Sequence, residues 1–168
     1  MASLRTAGPA GRRVLLSLRL GDALYALPVE AVAEVLPALP VEPVPGCPEF
    51  IRGVIFVRGH LIPVLDAAER LGLKGHRRAP DPHIVCLRTK DRYIGLEVDE
   101  ALDLMDVTGR TPLPAGEVGA REGFLAGLLE LDGKVIRVLD PERIVARDEA
   151  ARLAALPGTA SAPAAGSA

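Results

Sequence analysis

Residues 50–66 read FIRGVIFVRGHLIPVLD, and residues 124–140 repeat this pattern as FLAGLLELDGKVIRVLD. The offset between the two stretches is 74 residues. An earlier block repeats with an offset of 69 residues, and its matches are Leu18-Arg19 with Leu87-Arg88, Asp22 with Asp91, and Val44-Pro45 with Leu113-Pro114. The change of offset corresponds to an insertion of five residues between Pro114 and Phe124. Because this period exceeds the roughly 20–50 residues of solenoid repeats, the pattern predicts two copies of one small module.

The apolar runs of each copy predict short β-strands joined by tight turns. Val14–Leu20 ends at Gly21-Asp22, and Leu24–Leu27 follows as the returning strand. Three more hairpins are predicted in the same way: Ile51–Val57 with Leu61–Leu65, Ile84–Arg88 with Tyr93–Val98, and Leu128–Leu131 with Val135–Leu139. Short helices are expected after Asp66 and Asp140, which are suitable N-caps. Many short strands at this spacing indicate a mainly β fold, either a sandwich or a pair of barrels.

The composition of the two ends predicts little folded structure there. Residues 1–12 are rich in Ala, Gly and Arg and are expected to be a mobile segment, while residues 13–147 form the folded domain. Residues 148–168 are expected to hold a short helix and then a disordered tail rich in Ala and Pro. Six glycines are assigned to structural turns, namely Gly21, Gly53, Gly59, Gly95, Gly127 and Gly133.

The composition argues against several classes of protein. The net charge is −2, from 20 basic and 22 acidic residues, so no broad field would attract nucleic acid or anionic lipid. Aromatic residues make up 3% of the chain and Trp is absent, which disfavours a base-stacking surface. No apolar stretch reaches the roughly 20 residues needed to cross a bilayer, and the first 13 residues do not resemble a signal peptide. We therefore expect no nucleic-acid partner and no direct membrane insertion.

The residue types that usually carry chemistry form no recognisable set in the sequence. His60, His76 and His83 lack the spacing of metal ligands, and no serine lies in a nucleophile elbow. Sequence motifs for glycine-rich phosphate loops are also missing. Cys47 and Cys86 are too few for a disulfide framework and are expected to be free thiols in a reducing compartment. The sequence predicts a protein that is not an enzyme and uses no cofactor or metal.

In each copy, apolar residues surround a single acidic residue. The first set is Val32, Val35 and Leu36 around Glu34, and the second is Leu102, Leu104 and Met105 around Asp103. Such residues either pack in the core or form a partner-binding edge in each barrel, and the sequence leaves both readings open. Arg58 interrupts an apolar hairpin, where it is either a solvated tip residue or an anchor for a partner.

The stretch at residues 50–66 resembles the signature of the CheW family. Three other segments are similar to landmarks of that family in the same order: LGD at residues 20–22, YIGLEVD at residues 93–99, and FLAGL at residues 124–128. The resemblance extends from about residue 14 to residue 145, nearly the whole folded part. One departure lies beside Arg58, where the family usually has Asn-Leu and this chain has Phe56-Val57.

This resemblance implies a CheW-like fold of two intertwined five-stranded SH3-like β-barrels with short helices. The first barrel would lie roughly at residues 14–80 and the second roughly at 81–147, with strand exchange between them. It also implies a non-catalytic signalling adaptor that couples the cytoplasmic tips of chemoreceptors to a CheA-type histidine kinase, in the cytoplasm at receptor arrays on the inner face of the membrane. By position, it assigns partner contacts to Val32, Glu34, Val35, Arg58, Leu104 and Met105.

Two other hypotheses belong to different classes. A CheW-like interaction domain that holds only the kinase or only the receptor would act as a modulator in a pathway with a non-swimming output. It would bind one partner and fail to bind the other. An enzyme with an unrecognised site is the third possibility, and turnover that depends on Asp99 or Asp103 would reveal it.

Overall fold

The computed structural model describes residues 11–118 and 123–144. In these ranges its strands are β1 (Val14–Leu20), β2 (Ala23–Pro28), β3 (Val32–Leu36), β4 (Ile51–Val57), β5 (His60–Asp66), β6 (His83–Arg88), β7 (Tyr93–Val98), β8 (Glu100–Asp106), β9 (Leu113–Pro114), β10 (Leu125–Leu131) and β11 (Lys134–Leu139). The short helices are α1 (Ala67–Arg70) and α2 (Pro141–Ile144). Most of the segment expected to be mobile, and all of the helix and tail expected at 148–168, lie outside the described residues.

The strands form two sheets. The five-stranded sheet has the order β3-β6-β7-β5-β4, and we call it the first barrel; the six-stranded sheet has the order β8-β1-β2-β11-β10-β9, and we call it the second barrel. Neighbouring strands are antiparallel except for the parallel pairs β2 with β11 and β5 with β7. The predicted mainly β fold with two intertwined halves is confirmed. The second barrel has a sixth strand because the two-residue β9, which the sequence did not predict, pairs with β10.

The two sequence repeats exchange their first hairpins. The β1–β2 hairpin of the first repeat lies in the second barrel beside β8, β10 and β11. The β6–β7 hairpin of the second repeat lies in the first barrel beside β3, β4 and β5. Each parallel strand pair therefore joins one repeat to the other. Neither repeat can complete a barrel by itself, so the two halves must fold together.

One match between the repeats is shifted in the structure. Glu42 bridges to Val54, and the corresponding bridge of the second barrel joins Leu113 to Leu128. Because Val54 and Leu128 occupy the same position of the repeat, Glu42 is the structural equivalent of Leu113. The sequence similarity between Val44 and Leu113 is therefore two residues out of register, and backbone pairing rather than residue identity sets the equivalence.

Apolar side chains are buried on both faces of the exchanged strands. On β1, Leu15 points into the second barrel and Leu16 points into a core shared by both barrels, as the alternation of a strand requires. The shared core contains Leu16, Leu18, Leu20, Tyr25, Leu27, Ile51, Leu65, Ala67, Val85, Leu87, Ile94, Leu96, Val98, Leu139 and Ile144. The interior of the first barrel contains Ile55, Ile62, Val64, Ile84 and Cys86. The shared core is the larger cluster, which ties the barrels into one unit.

Three of the glycines assigned to turns lie inside strands instead, and they are Gly53 in β4, Gly95 in β7 and Gly127 in β10. Close packing explains their position. A Cβ atom on Gly95 would lie 2.9 Å from Cγ2 of Ile84, and one on Gly127 would lie 2.9 Å from the carbonyl oxygen of Leu113. The other three lie in turns with positive φ angles, and they are Gly21, Gly59 and Gly133.

Ser17 repairs a β-bulge between β1 and β8. The register of this pair shifts between Leu16 and Leu18, which interrupts the backbone ladder. The Ser17 hydroxyl accepts a hydrogen bond from the backbone N–H of Asp103 at 3.0 Å and donates one to the Asp103 carbonyl oxygen at 2.9 Å. A buried hydroxyl thus takes the place of ladder hydrogen bonds that the bulge removes.

Replacing Ser17 with alanine should lower the free energy of unfolding by about 1–3 kcal/mol, because both backbone groups of Asp103 lose their partner. Urea unfolding followed by circular dichroism measures the change. Ser17→Cys introduces the residue type found at the equivalent position 86, and its weaker donor should give an intermediate loss. A loss below about 0.5 kcal/mol for the alanine variant would show that water replaces the hydroxyl without cost.

Candidate functional site

β3 and β8 occupy the same position in the two repeats, and each forms the outer edge of its sheet. The outward backbone groups of an edge strand remain open to a partner. Val35 on β3 is 40% exposed and Leu104 on β8 is 65% exposed, whereas Val32 and Met105 are half-buried. Both apolar sets therefore lie on sheet edges, and each divides between the two readings. The exposed members are Val35, Leu102 and Leu104, while Val32, Leu36 and Met105 pack against core clusters.

Arg58 lies in the two-residue turn between β4 and β5, and its backbone is left-handed. Its φ angle is 50° and that of Gly59 is 83°, which matches the tight hairpins that favour Asn-Gly or Asp-Gly. The equivalent turn of the second barrel has Asp132 at a φ angle of 52°. Aspartate tolerates this backbone conformation well, whereas an arginine adopts it rarely. Such strain points to a use for the Arg58 side chain beyond the turn itself.

The Arg58 side chain reaches across to the edge strand of the same barrel. Its guanidinium Nη2 lies 3.1 Å from Oε2 of Glu34 on β3. The Arg58 side chain is 78% exposed and that of Glu34 is 26% exposed, so this ion pair contributes little to stability, about 0–1 kcal/mol. The pair does position the guanidinium, and it brings the predicted residues Glu34 and Arg58 together at one end of the first barrel.

A cavity of about 370 Å³ opens at this end of the first barrel. It is lined by Ala33, Glu34, Val57, Arg58, His60, Ile62, Cys86, Arg88 and Tyr93. The buried Ile62 and Cys86 form its floor, and the exposed Arg58, His60 and Arg88 form its rim. Sequence reasoning missed this cavity because its walls come from β3 to β7, which belong to both repeats.

Cys86 is a buried thiol at the floor of this cavity. Burial raises the pKa of Cys86 to about 11, and Glu34 adds to the rise while Arg58 opposes it. The thiol therefore stays protonated at neutral pH and is a poor nucleophile. Cys47 and Cys86 are both free, so the cysteines act as separate thiols.

The opposite end of the first barrel holds a buried carboxylate. Glu97 on β7 is 5% exposed and forms ion pairs with Arg78 at 2.8 Å and with Arg52 at 3.5 Å. Burial raises the pKa of Glu97, and the nearby Asp66 and Asp99 add to the rise, although Arg78 acts against it. These ion pairs lie near the end of β7 opposite to Tyr93, which lines the cavity at the Arg58 end.

Leu104 and Met105 lie on β8 of the second barrel, apart from the Arg58 group. The same strand is acidic, and hydrogen bonds from Thr108 and Arg12 hold the pKa of Asp106 below its usual range. The structure therefore divides the six predicted site residues into two groups. The first-barrel group is Val32, Glu34, Val35 and Arg58, and the second-barrel group is Leu104 and Met105.

The described part of the chain offers surfaces for other proteins. Between residues 11 and 144, with 119–122 left aside, no cluster of His, Cys, Asp or Glu has the arrangement of a metal site. The helices in that part are too short and polar to cross a membrane. The described residues do include two partly apolar sheet edges and a cavity with a charged rim. These features define a protein-interaction module.

Comparisons with known proteins place this module in a family. A family model described as a CheW-like domain matches residues 14–149. The chemotaxis protein CheW of Rhizobium meliloti (strain 1021) is 29% identical over 141 residues, which cover 83% of this chain and 91% of that protein. CheW of Thermotoga maritima is 32% identical over 132 residues, covering 78% and 86% of the two chains. Protein FrzA of Myxococcus xanthus is 34% identical over 117 residues, covering 68% and 72%.

The fold is similar to that of a solved relative as well. The crystal structure of the scaffolding protein TtCheW from Thermoanaerobacter tengcongensis matches with a TM-score of 0.75 at 25% sequence identity, and the match covers 82% of this chain and 95% of that one. The chain belongs to the CheW family. It is a non-catalytic scaffold of chemotaxis signalling, which confirms the resemblance seen in residues 50–66.

Proposed function

We propose that this chain couples the cytoplasmic tips of chemoreceptors to a CheA-type histidine kinase, in the cytoplasm at receptor arrays on the inner face of the membrane. The observation that carries the proposal is the geometry of Arg58, which combines a φ angle of 50° with a side chain that is 78% exposed. Turn chemistry alone would favour Asn, Asp or Gly at this position. An arginine held there by Glu34 serves a contact outside the chain.

Two separate surfaces support a role that joins two partners. The first-barrel group combines the Arg58–Glu34 ion pair with the exposed Val35. The second-barrel group presents Leu104, whose side chain is the more exposed of the two apolar anchors. Exposed apolar anchors next to charged groups are typical of interface hot spots. We assign the second-barrel group to the receptor and the first-barrel group to the kinase and the receptor.

Arg58→Glu should weaken binding of the kinase, the receptor or both by at least tenfold, because it reverses the charge at the turn and sets a carboxylate against Glu34. Pull-down with identification of both partners by mass spectrometry, followed by calorimetry with each purified partner, measures the loss. The folded state should survive, since the wild-type ion pair is exposed.

Two variants control this experiment. Arg58→Asn suits the left-handed turn and should fold at least as stably as the parent while losing binding. Asp132→Asn changes the equivalent turn of the second barrel and should leave kinase binding unchanged. Normal binding by a folded Arg58→Glu variant would remove Arg58 from the proposed interface.

A modulator that holds only one partner is the second candidate function, and Phe56 is the observation that favours it. This ring is 70% exposed on β4, beside Arg58, where the family usually carries asparagine. The chain therefore presents a surface next to its functional arginine that differs from the family pattern. Binding of the purified kinase without binding of the receptor, or the reverse, would assign the modulator role.

A further inference from the structure

The two barrels carry different contacts at equivalent positions of the sequence repeat. Arg88 at the end of β6 and Arg19 near the end of β1 occupy the same position of the repeat. Arg19 is neutralised by Asp99 at 3.8 Å and by Glu100 at 3.4 Å. Arg88 is exposed on the rim of the cavity, and no carboxylate pairs with it within residues 11–118 and 123–144. Among the described residues, the first barrel therefore has an arginine without a carboxylate partner at the position where the second barrel has a paired one.

The interiors below these arginines differ as well. Cys86 forms an apolar floor in the first barrel, whereas the equivalent Ser17 of the second barrel commits its hydroxyl to the backbone of Asp103. At the hairpin tip, Arg58 corresponds to Asp132 of the second barrel. At these three repeat positions, the described part of the first barrel carries an arginine with no carboxylate partner, a buried cysteine and a basic turn residue. The second barrel carries a paired arginine, a serine bonded to backbone and an aspartate there.

The charges on this rim do not cancel. Glu34 is paired with Arg58, so Arg88 remains as the charge that faces the opening without a carboxylate partner among the described residues. A cavity of about 370 Å³ lies near the lower end of the range of about 300–1,000 Å³ seen for ligand pockets, which suits one or two side chains better than a whole helix. An occupant with an apolar group and a negative charge would satisfy both the floor and the rim.

Two exposed apolar side chains lie on strands that wall the cavity, on the outer face of the barrel. Phe56 is 70% exposed on the hairpin that forms one wall, and Val35 is 40% exposed on β3, which forms another. A free small molecule inside the cavity would leave both side chains in water. A protein segment can fill the cavity and cover these flanks at the same time, which is how interface anchors are usually arranged.

We infer that the open end of the first barrel receives an apolar side chain of a protein partner that is flanked in the partner's chain by Asp or Glu. The apolar side chain packs on Ile62 and Cys86, and a flanking carboxylate pairs with Arg88. The inference rests on the proposed function in that the occupant is a signalling partner, and it adds the chemistry by which the first barrel recognises that partner. It predicts an acidic and apolar sequence at the partner's contact.

A peptide titration tests the inference without the partner itself. The probe is an acetylated and amidated five-residue peptide with leucine between two glutamates, and the control has leucine between two lysines. Amide shifts of the ¹⁵N-labelled full chain should change at Ile62, Cys86 and Tyr93 with a dissociation constant on the order of 1 mM for the acidic peptide. The basic peptide should bind at least tenfold more weakly. A higher salt concentration should weaken binding of the acidic peptide, because salt screens its charges.

Variants of the exposed Arg88 complete the test. Arg88→Glu should weaken binding of the acidic peptide at least tenfold, while Arg88→Lys should change its dissociation constant less than threefold. No shifts at the cavity residues, equal binding of both peptides, or shifts confined to the second barrel would each overturn the inference. The proposed function is tested separately by the Arg58→Glu pull-down. Arg58→Glu can retain both partners although the acidic peptide binds the cavity, and it can lose a partner although the peptide does not bind.

Discussion

Replacing Asp99 with alanine should lower the free energy of unfolding by about 3 kcal/mol. One carboxylate holds together three segments that are far apart in sequence. Asp99 Oδ2 accepts a hydrogen bond from the backbone N–H of Gly21 at 2.7 Å, and His76 Nε2 lies 3.0 Å from both carboxylate oxygens. Arg19 approaches to 3.8 Å. The side chain is only 6% exposed, so its loss leaves these donors without a partner in a place that water reaches poorly.

The effect of Asp99 should depend on pH with a defined sign. Burial opposes ionisation, but the hydrogen bonds from Gly21 and His76 and the charge of Arg19 outweigh it, so the pKa of Asp99 lies below its usual value. A carboxylate whose pKa is lowered by folding stabilises the protein above its unfolded pKa of about 3.9, and this contribution is lost as the pH falls through the folded pKa. The difference in free energy of unfolding between the parent and Asp99→Ala should therefore reach its largest value by pH 6 and become smaller below pH 4.

Urea unfolding at several pH values, followed by circular dichroism because the chain has no Trp, measures this difference. Asp99→Asn is the matched control, since it keeps an acceptor for Gly21 and removes the charge. It should lose less stability than the alanine variant at pH 6, and its stability relative to the parent should rise as the pH falls. A pH-independent penalty for both variants would show that the anchor works by shape alone.

Arg70→Met should also lower the free energy of unfolding by about 3 kcal/mol. The Arg70 guanidinium lies between two aromatic rings that occupy the same position of the two repeats, 4.6 Å from the ring centre of Phe50 and 4.5 Å from that of Phe124. Its Nε also donates to the carbonyl oxygen of Ile144 at 2.6 Å. Each ring contact is worth about 0.5–2 kcal/mol, and a hydrogen bond from a charged donor about 1.5–3 kcal/mol. Arg70 therefore joins the two repeats at their shared boundary.

Methionine keeps the apolar stem of Arg70, so the loss of stability in Arg70→Met measures the contribution of the guanidinium and not the effect of a cavity. Arg70→Lys retains the charge without the planar group and should lose an intermediate amount. Arg137→Met is the matched control, because within the described ranges Arg137 lies over a single ring, that of Tyr25 at 5.7 Å, and this variant should cost less than about 1 kcal/mol. If Arg70→Met were as stable as the parent, the two phenylalanines alone would hold the boundary.

Features set by neighbouring residues could be predicted from the sequence. The strand pair β4 and β5 was predicted as Ile51–Val57 and Leu61–Leu65 because apolar runs flank Arg58-Gly59-His60, and in the structure β5 is one residue longer at each end. Helix α1 begins where Asp66 was expected to cap it, and the Asp66 carboxylate accepts a hydrogen bond from Glu69 N–H at 3.1 Å. Strand β9 was missed because two residues carry no periodic pattern, and only pairing with β10 makes them a strand.

The candidate site could be predicted only in part. Glu34 and Arg58 were named from the sequence, and the structure brings them to 3.1 Å of each other. The sequence does not indicate how exposed Phe56 is, and the structure exposes 70% of it. The cavity and its rim residue Arg88 were not foreseen, because their neighbours along the chain give no sign of the strands that pack beside them.

The sequence by itself determined the repeat, the hairpins, the turn that carries Arg58 and the family, because each of these follows from the order of residue types along short stretches and does not require knowing which strands pair. Tertiary structure decided which repeat completes which barrel, since the exchanged hairpins pair with strands from the other half of the chain. It also decided that Arg19 is paired with Asp99 and Glu100, whereas no carboxylate in the described ranges pairs with Arg88. Two arginines at the same position of a repeat differ only through charges that folding brings from elsewhere, and those long-range contacts leave no local pattern in the sequence.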